Sequence, residues 1–164
     1  MIVTAFTLIF ILSNISYAGT HAPPAKDVKF IQSVNPEITE AHAIKIAKTV
    51  HSSSKKHKVK KELILSIMAA ESTFKNKARS NGNYGLMQIN YSAWKDDENF
   101  KKIVPNRKKL YDPDTNVEAG CFVLKYLSGK NKSVKTVIYS YLGRKDTSYY
   151  KKIMMYQDRY KRIS

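Results

Sequence analysis

Helical periodicity with one interruption is the feature of this sequence that most restricts its fold. From Thr39 onward, apolar residues recur at three- and four-residue spacing. Ala43, Ile46, Ala47 and Val50 form one set, and Leu63, Ile64, Ile67, Met68 and Ala70 a second. Val117, Cys121 and Leu124 follow, then Val134, Val137, Ile138 and Tyr141, and finally Tyr149, Ile153, Tyr156 and Tyr160. Each set lies on one face of an α-helix. Thr39 is placed to cap the first helix, Ser52-Ser53-Ser54 to end it, and Asn116 or a neighbour to cap the third. The interruption, residues 76–90 (NKARSNGNYGLMQIN), contains Asn81-Gly82 and Gly85 and reads as turns with a short β-hairpin near residues 80–90. No repeat and no convincing alternating strand occurs. The pattern predicts a mainly-α single domain of five or six helices, and 164 residues are enough to bury a core.

The start of the chain differs. Residues 2–12 (IVTAFTLIFIL) are almost wholly apolar, and no acid, lysine or arginine precedes Lys26. Ser16 and Ala18 then give the small-x-small pattern of a signal peptidase site, so residues 1–18 read as a signal peptide cleaved after Ala18. The run is shorter than the roughly 20 residues of a membrane span. A buried N-terminal helix and a retained anchor are the alternatives, and no lipoprotein-type cysteine follows. Residues 19–36, with Gly19, Pro23, Pro24 and Pro36 and little helical periodicity, read as a leader to a domain over 37–164. The mature protein is expected to be exported, periplasmic or extracellular, touching the membrane only through its signal segment.

Charge narrows the partner. Lys and Arg number 29 against 13 Asp and Glu, a net charge of +16. Such an excess favours nucleic acid, lipid headgroups or an acidic polymer such as a cell wall. An exported protein meets no chromosome, and no nucleic-acid-binding motif is present, so no nucleic acid is expected. Lys55, Lys56, Lys58, Lys60 and Lys61 cluster around His57, either as a solvated turn or as a grip on an anionic polymer. The one cysteine, Cys121, excludes an intramolecular disulfide and reads as a core residue. The histidines lack ligand spacing such as HExxH and no glycine-rich phosphate loop occurs, so neither metal nor cofactor is expected.

Glu71 is the residue out of place. It follows Ile64 by seven residues, Ile67 by four and Met68 by three, so it projects from an apolar helical stripe. Desolvation there raises a carboxyl pKa, and a carboxylic acid protonated near neutral pH can serve as a general acid. The plainer reading is a glutamate at a helix end that swings to solvent or pairs with a lysine.

Glu71-Ser72-Thr73-Phe74, then Ser80, then Gly85-Leu86-Met87-Gln88-Ile89-Asn90 resembles the signature of lytic transglycosylases with the soluble-lytic-transglycosylase catalytic domain. Asp112-Pro113-Asp114-Thr115-Asn116-Val117-Glu118-Ala119-Gly120 resembles that family's D-P-x-x-N-I-x-A-G helix start. Tyr139-Ser140-Tyr141-Leu142-Gly143 stands where its A-Y-N-A-G-like box falls. Tyr141 aligns with the family tyrosine, Tyr139 is the fallback, and Leu142 replaces the usual Asn. The likeness spans about residues 39–160 and is nearest to small members that serve secretion systems, pili or phage.

The resemblance implies a lysozyme-like fold and cleavage of peptidoglycan glycan strands between N-acetylmuramic acid and N-acetylglucosamine, closing a 1,6-anhydro ring. It implies Glu71 as the catalytic acid and base. Ser80 is expected near the Glu71 carboxyl, Gln88 and Asn90 on sugar N-acetyl and hydroxyl groups, and Tyr141 on the sugar beside the cleaved bond. Ser72 is a helix-end cap or a minor contact, and Phe74, Met87 and Ile89 are packing residues. The next acids, Asp96, Asp97 and Glu98, read as a solvated loop. One of them facing Glu71 at about 6.5–9.5 Å would instead indicate a hydrolytic muramidase. A non-catalytic peptidoglycan-binding relative is the remaining alternative.

Overall fold

The computed structural model describes residues 25–131 and 133–164. The apolar start, with its expected cleavage after Ala18, lies outside the described residues. The chain order is α1 (Ala25–Val34), α2 (Glu40–His57) and α3 (Lys61–Glu71), then three two-residue strands, β1 (Arg79–Ser80), β2 (Asn83–Tyr84) and β3 (Ile89–Asn90). After these come α4 (Tyr91–Trp94), α5 (Glu98–Ile103), a 3₁₀ turn (Arg107–Tyr111), α6 (Pro113–Lys130), α7 (Val134–Leu142) and α8 (Thr147–Arg162). The strands form one antiparallel sheet in the order β1-β2-β3, pairing Arg79 with Tyr84 and Asn83 with Asn90. The mainly-α class with a small hairpin is thus as the sequence predicts, with eight α-helices among the described residues where five or six are expected.

The core is built around α3, whose Ile64, Leu65, Ile67, Met68 and Ala69 are fully buried. It packs against α8 and α2, while α6 lies along α2. Cys121 is buried in this core, as expected, and burial pushes its thiol pKa up to about 12.

Three local readings are corrected. Residues 25–34 are a helix and not part of a leader. Phe30 and Ile31 are fully buried, and the Phe30 ring meets Phe74 and Tyr160 edge-on at 6.0 and 5.4 Å. Buried Asp27 accepts hydrogen bonds from Lys61 Nζ (2.9 Å) and Tyr160 Oη (2.6 Å), tying α1 to α3 and α8. Ser52-Ser53-Ser54 does not end α2, because Ser52 Oγ donates to Thr49 O and Ser54 Oγ to Val59 O. The helix runs to His57 and closes on Lys58, at φ 55°. Asp112, not Asn116, caps α6, its carboxylate accepting from Thr115 N, with Pro113 at the first helical position.

The lysine cluster is divided by the fold. Lys56 pairs with Glu118 and Lys61 with Asp27, whereas Lys55, Lys58 and Lys60 are exposed.

Candidate active site

Glu71 is the last residue of α3, and the two residues after its capping Ser72 turn the chain sharply. Thr73 and Phe74 take φ of 49° and 63°, a conformation most side chains avoid. Ser72 Oγ donates to Leu86 O at 2.7 Å, fastening the end of α3 to the loop after β2. Phe74, Met87 and Ile89 are buried, as packing residues should be.

That loop is fixed from the other side by α6. Asn116, fully buried, accepts from Met87 N (2.8 Å) and donates to Tyr84 O (2.8 Å) and Leu110 O (2.7 Å). Gly85 has φ 77°, and a Cβ there would fall 2.1 Å from Leu110 O and 2.2 Å from Asn116 Nδ2. One turn along α6, a Cβ on Gly120 would sit 2.2 Å from Met87 Sδ. At Gly85, where the clash is with backbone and φ is positive, only glycine fits, whereas at Gly120 the Met87 side chain would have to shift. The clamped loop ends on Gln88, at φ 48°, whose Nε2 donates to Gly85 O at 3.0 Å.

Between the sheet, α4 and α7 lies a cleft of about 340 Å³, lined by Glu71, Gln88, Asn90, Trp94, Tyr141 and Leu142 among others. Among its described lining residues Glu71 is the sole carboxylate. Burial raises the Glu71 pKa above its ordinary value. Two features oppose that rise: Tyr149 Oη on α8 donates a hydrogen bond to Glu71 Oε1, and the Lys152 ammonium lies nearby, itself bonded to Ala70 O at 2.9 Å. The result is a shielded carboxyl held in one orientation by a phenol.

Gln88, Asn90 and Tyr141 share the cleft with Glu71. Asn90 spends its Oδ1 on capping α4, accepting from Ala93 N at 3.1 Å. Tyr141 Oη donates to Met87 O at 2.7 Å, so this tyrosine offers the cleft chiefly its ring. Ser80, expected near the Glu71 carboxyl, is exposed on β1 opposite Asn83 and is not among the residues lining the cleft, whereas Asn83 is. Tyr139, the fallback, packs on Tyr150 away from this lining. Asp97 caps α5 and Glu98 pairs with Lys101, and neither they nor Asp96 line the cleft.

Sequence reasoning missed four residues. Tyr149 reads as one more apolar position of α8, although a buried phenol needs a hydrogen-bond partner. Asn116 reads as a cap because asparagine favours caps. Trp94 and Asn83 carry no periodic signal. Trp94, which lines the cleft, is held edge-on by Phe122 (5.9 Å) and Tyr126 (5.1 Å).

Comparison with known proteins matches this arrangement. The transglycosylase SLT domain model matches residues 48–161. Membrane-bound lytic murein transglycosylase E of Buchnera aphidicola is 37% identical over 90 residues, 52% of this chain and 41% of that protein. Membrane-bound lytic murein transglycosylase C of Salmonella arizonae is 37% identical over 103 residues, 57% of this chain and 29% of that protein. The chain thus spans less than half the length of these curated relatives. No solved structure matches it. The family match runs from α2 through α8 and takes in the shielded glutamate, the clamped loop and the helix that clamps it: the chain belongs to the transglycosylase SLT domain family.

Proposed function

We propose that the protein is an exported lytic transglycosylase that cleaves peptidoglycan glycan strands between N-acetylmuramic acid and N-acetylglucosamine. The observation that carries this reading is Glu71, a shielded carboxyl of raised pKa that is alone in its cleft among the described lining residues. Hydrolysis by either glycosidase geometry calls for a second carboxylate, to activate water or to form a glycosyl-enzyme. Intramolecular attack does not. Protonated Glu71 gives its proton to the glycosidic oxygen as the bond to muramyl C1 breaks. The carboxylate left behind takes the proton of the muramyl C6 hydroxyl, whose oxygen bonds to C1 and closes the 1,6-anhydro ring. One carboxyl serves as acid and then base, returns to its starting form, and no water is consumed.

In this reading Tyr149 holds the carboxyl through both proton transfers. Gln88 and Asn90 offer amide donors to N-acetyl and hydroxyl groups, and the rings of Tyr141 and Trp94 pack against sugar faces. Neither metal nor cofactor enters the scheme. The signal-like start supports action on the outer side of the membrane. Local wall opening for a secretion, pilus or phage machine is the role this reading assigns to it.

Mass analysis of sugars released from purified peptidoglycan tests the proposal. Products ending in 1,6-anhydromuramic acid, one water lighter than reducing ends, are expected, and Glu71→Gln should yield none while still binding strands. Reducing muramic ends would indicate a hydrolase. No release from any wall would indicate a binding relative.

A further inference from the structure

On the far side of the hairpin from the catalytic cleft lies a second, shallower surface lined by Tyr84, Tyr91, Ser92, Lys95, Arg107 and Lys108. The two surfaces share a thin partition. On β2, Asn83 lines the cleft and Tyr84 the outer surface; on α4, Trp94 lines the cleft and Lys95 the outer surface. The guanidinium groups of Arg79 and Arg107 both lie 5.6 Å from the centre of the Tyr84 ring, so two like charges converge on one aromatic side chain. Among the described residues, Arg79, Lys95, Arg107 and Lys108 make no ion pair. Of the acids next in the chain, Asp97 caps α5 and Glu98 is held by Lys101, while the exposed Asp96 forms an ion pair with none of these four residues. Like charges repel, and these four residues are exposed, so their convergence without a protein counter-charge marks a place for an external anion.

Resting on the function proposed above, we infer that this basic shelf binds the carboxylates of the peptide stem that branches from muramic acid, and so selects stem-bearing strands over bare glycan. The sugars of such a strand carry no charge of their own, because the lactyl acid is consumed in the amide to the stem. Positive charge beside the cleft therefore serves the branch and not the chain. Reach permits it: an extended peptide spans roughly 3.3–3.6 Å per residue, so a stem of about four or five residues covers on the order of 15 Å. One sheet layer is only about 10 Å thick. A guanidinium group is planar and can meet a carboxylate through two parallel N–H donors, and two of them lie beside the Tyr84 ring.

The test compares two substrates, murein strands with their stems and the same strands stripped by an amidase and then methylamidated at the lactyl carboxyls that the amidase frees, so that the stripped strands stay uncharged. Binding is measured in full-length Glu71→Gln protein, so that strands survive, with and without Arg79→Gln/Arg107→Gln. About a tenfold weaker Kd for stem-bearing strands, with stripped strands unchanged, is expected. Arg79→Lys/Arg107→Lys should recover only part of the loss. Equal losses on both substrates, or none on either, would overturn the inference. So would a loss confined to walls that carry phosphate polymers, which would make the shelf a phosphate site. Turnover of stripped strands by protein with Glu71 intact is the separate control: its absence counts against the proposed reaction, whereas the binding ratio reads the shelf alone.

Discussion

At the scale of single residues, the site opposes a half-buried acid with a phenol. The Tyr149 hydroxyl donates to Glu71, which favours the charged carboxylate, while burial favours the neutral acid and dominates. Tyr149→Phe removes only the former. The Glu71 pKa should then rise further, and the alkaline limb of kcat/KM, where Glu71 loses its proton, should move to higher pH. Loss of orientation should also lower kcat by about tenfold or more. A pH–rate profile checks both, and a substitution that merely loosened the fold would lower the rate without moving the limb. The raised pKa also has a sign for stability. A carboxyl whose folded pKa lies above its unfolded value contributes most at low pH, and that contribution is lost as pH rises through the folded pKa. Glu71→Gln should therefore leave the protein at least as stable as the wild type at pH 7, by urea denaturation.

At the scale of elements, the site depends on α6 clamping the loop between β2 and β3. Asn116 satisfies three backbone groups at once, and its loss would leave Met87 N–H and the carbonyls of Tyr84 and Leu110 without their partner. Asn116→Ala is expected to cost about 3 kcal/mol, the upper part of the range for unsatisfied buried groups. KM should rise as well, because Gln88 sits at the end of the clamped loop. Gly85→Ala should be as damaging, since its Cβ would enter the space of Leu110 O and Asn116. Urea titration of each variant, with KM on soluble glycans, measures both effects. These contacts explain what was legible in the sequence. The spacing of apolar residues gives α2, α3, α6, α7 and α8, because each buries one continuous stripe. The misplacement of Glu71 on such a stripe is visible for the same reason. Asn116, Gly120 and Tyr149 act across 29 to 78 positions of chain, as in Asn116 on Met87 and Tyr149 on Glu71. Periodicity within one element carries no record of such partners.

At the scale of the whole molecule, the boundary of the folding unit lies earlier than composition suggests. The family match begins at residue 48, and prolines at 23, 24 and 36 give residues 19–36 the look of a leader. Yet the side chains that close the far end of the core come from α1. Phe30 fills the space between Phe74 and Tyr160, and Asp27 is the only buried acid among the described residues, held by Lys61 and Tyr160. Removing α1 exposes the apolar faces of α3 and α8 and strips Lys61 and Tyr160 of their shared acceptor. Loss of the Phe30 side chain alone is worth about 3–5 kcal/mol, a large share of the 5–15 kcal/mol that holds a typical domain together. A chain beginning at residue 37 should therefore be largely unfolded or aggregated at 37 °C, while one beginning at residue 25 should unfold as cooperatively as the protein from residue 19. Thermal and urea denaturation of the three chains decides the matter. Equal stability at all three starting points would return residues 25–34 to the role of a leader packed on a domain that stands without it.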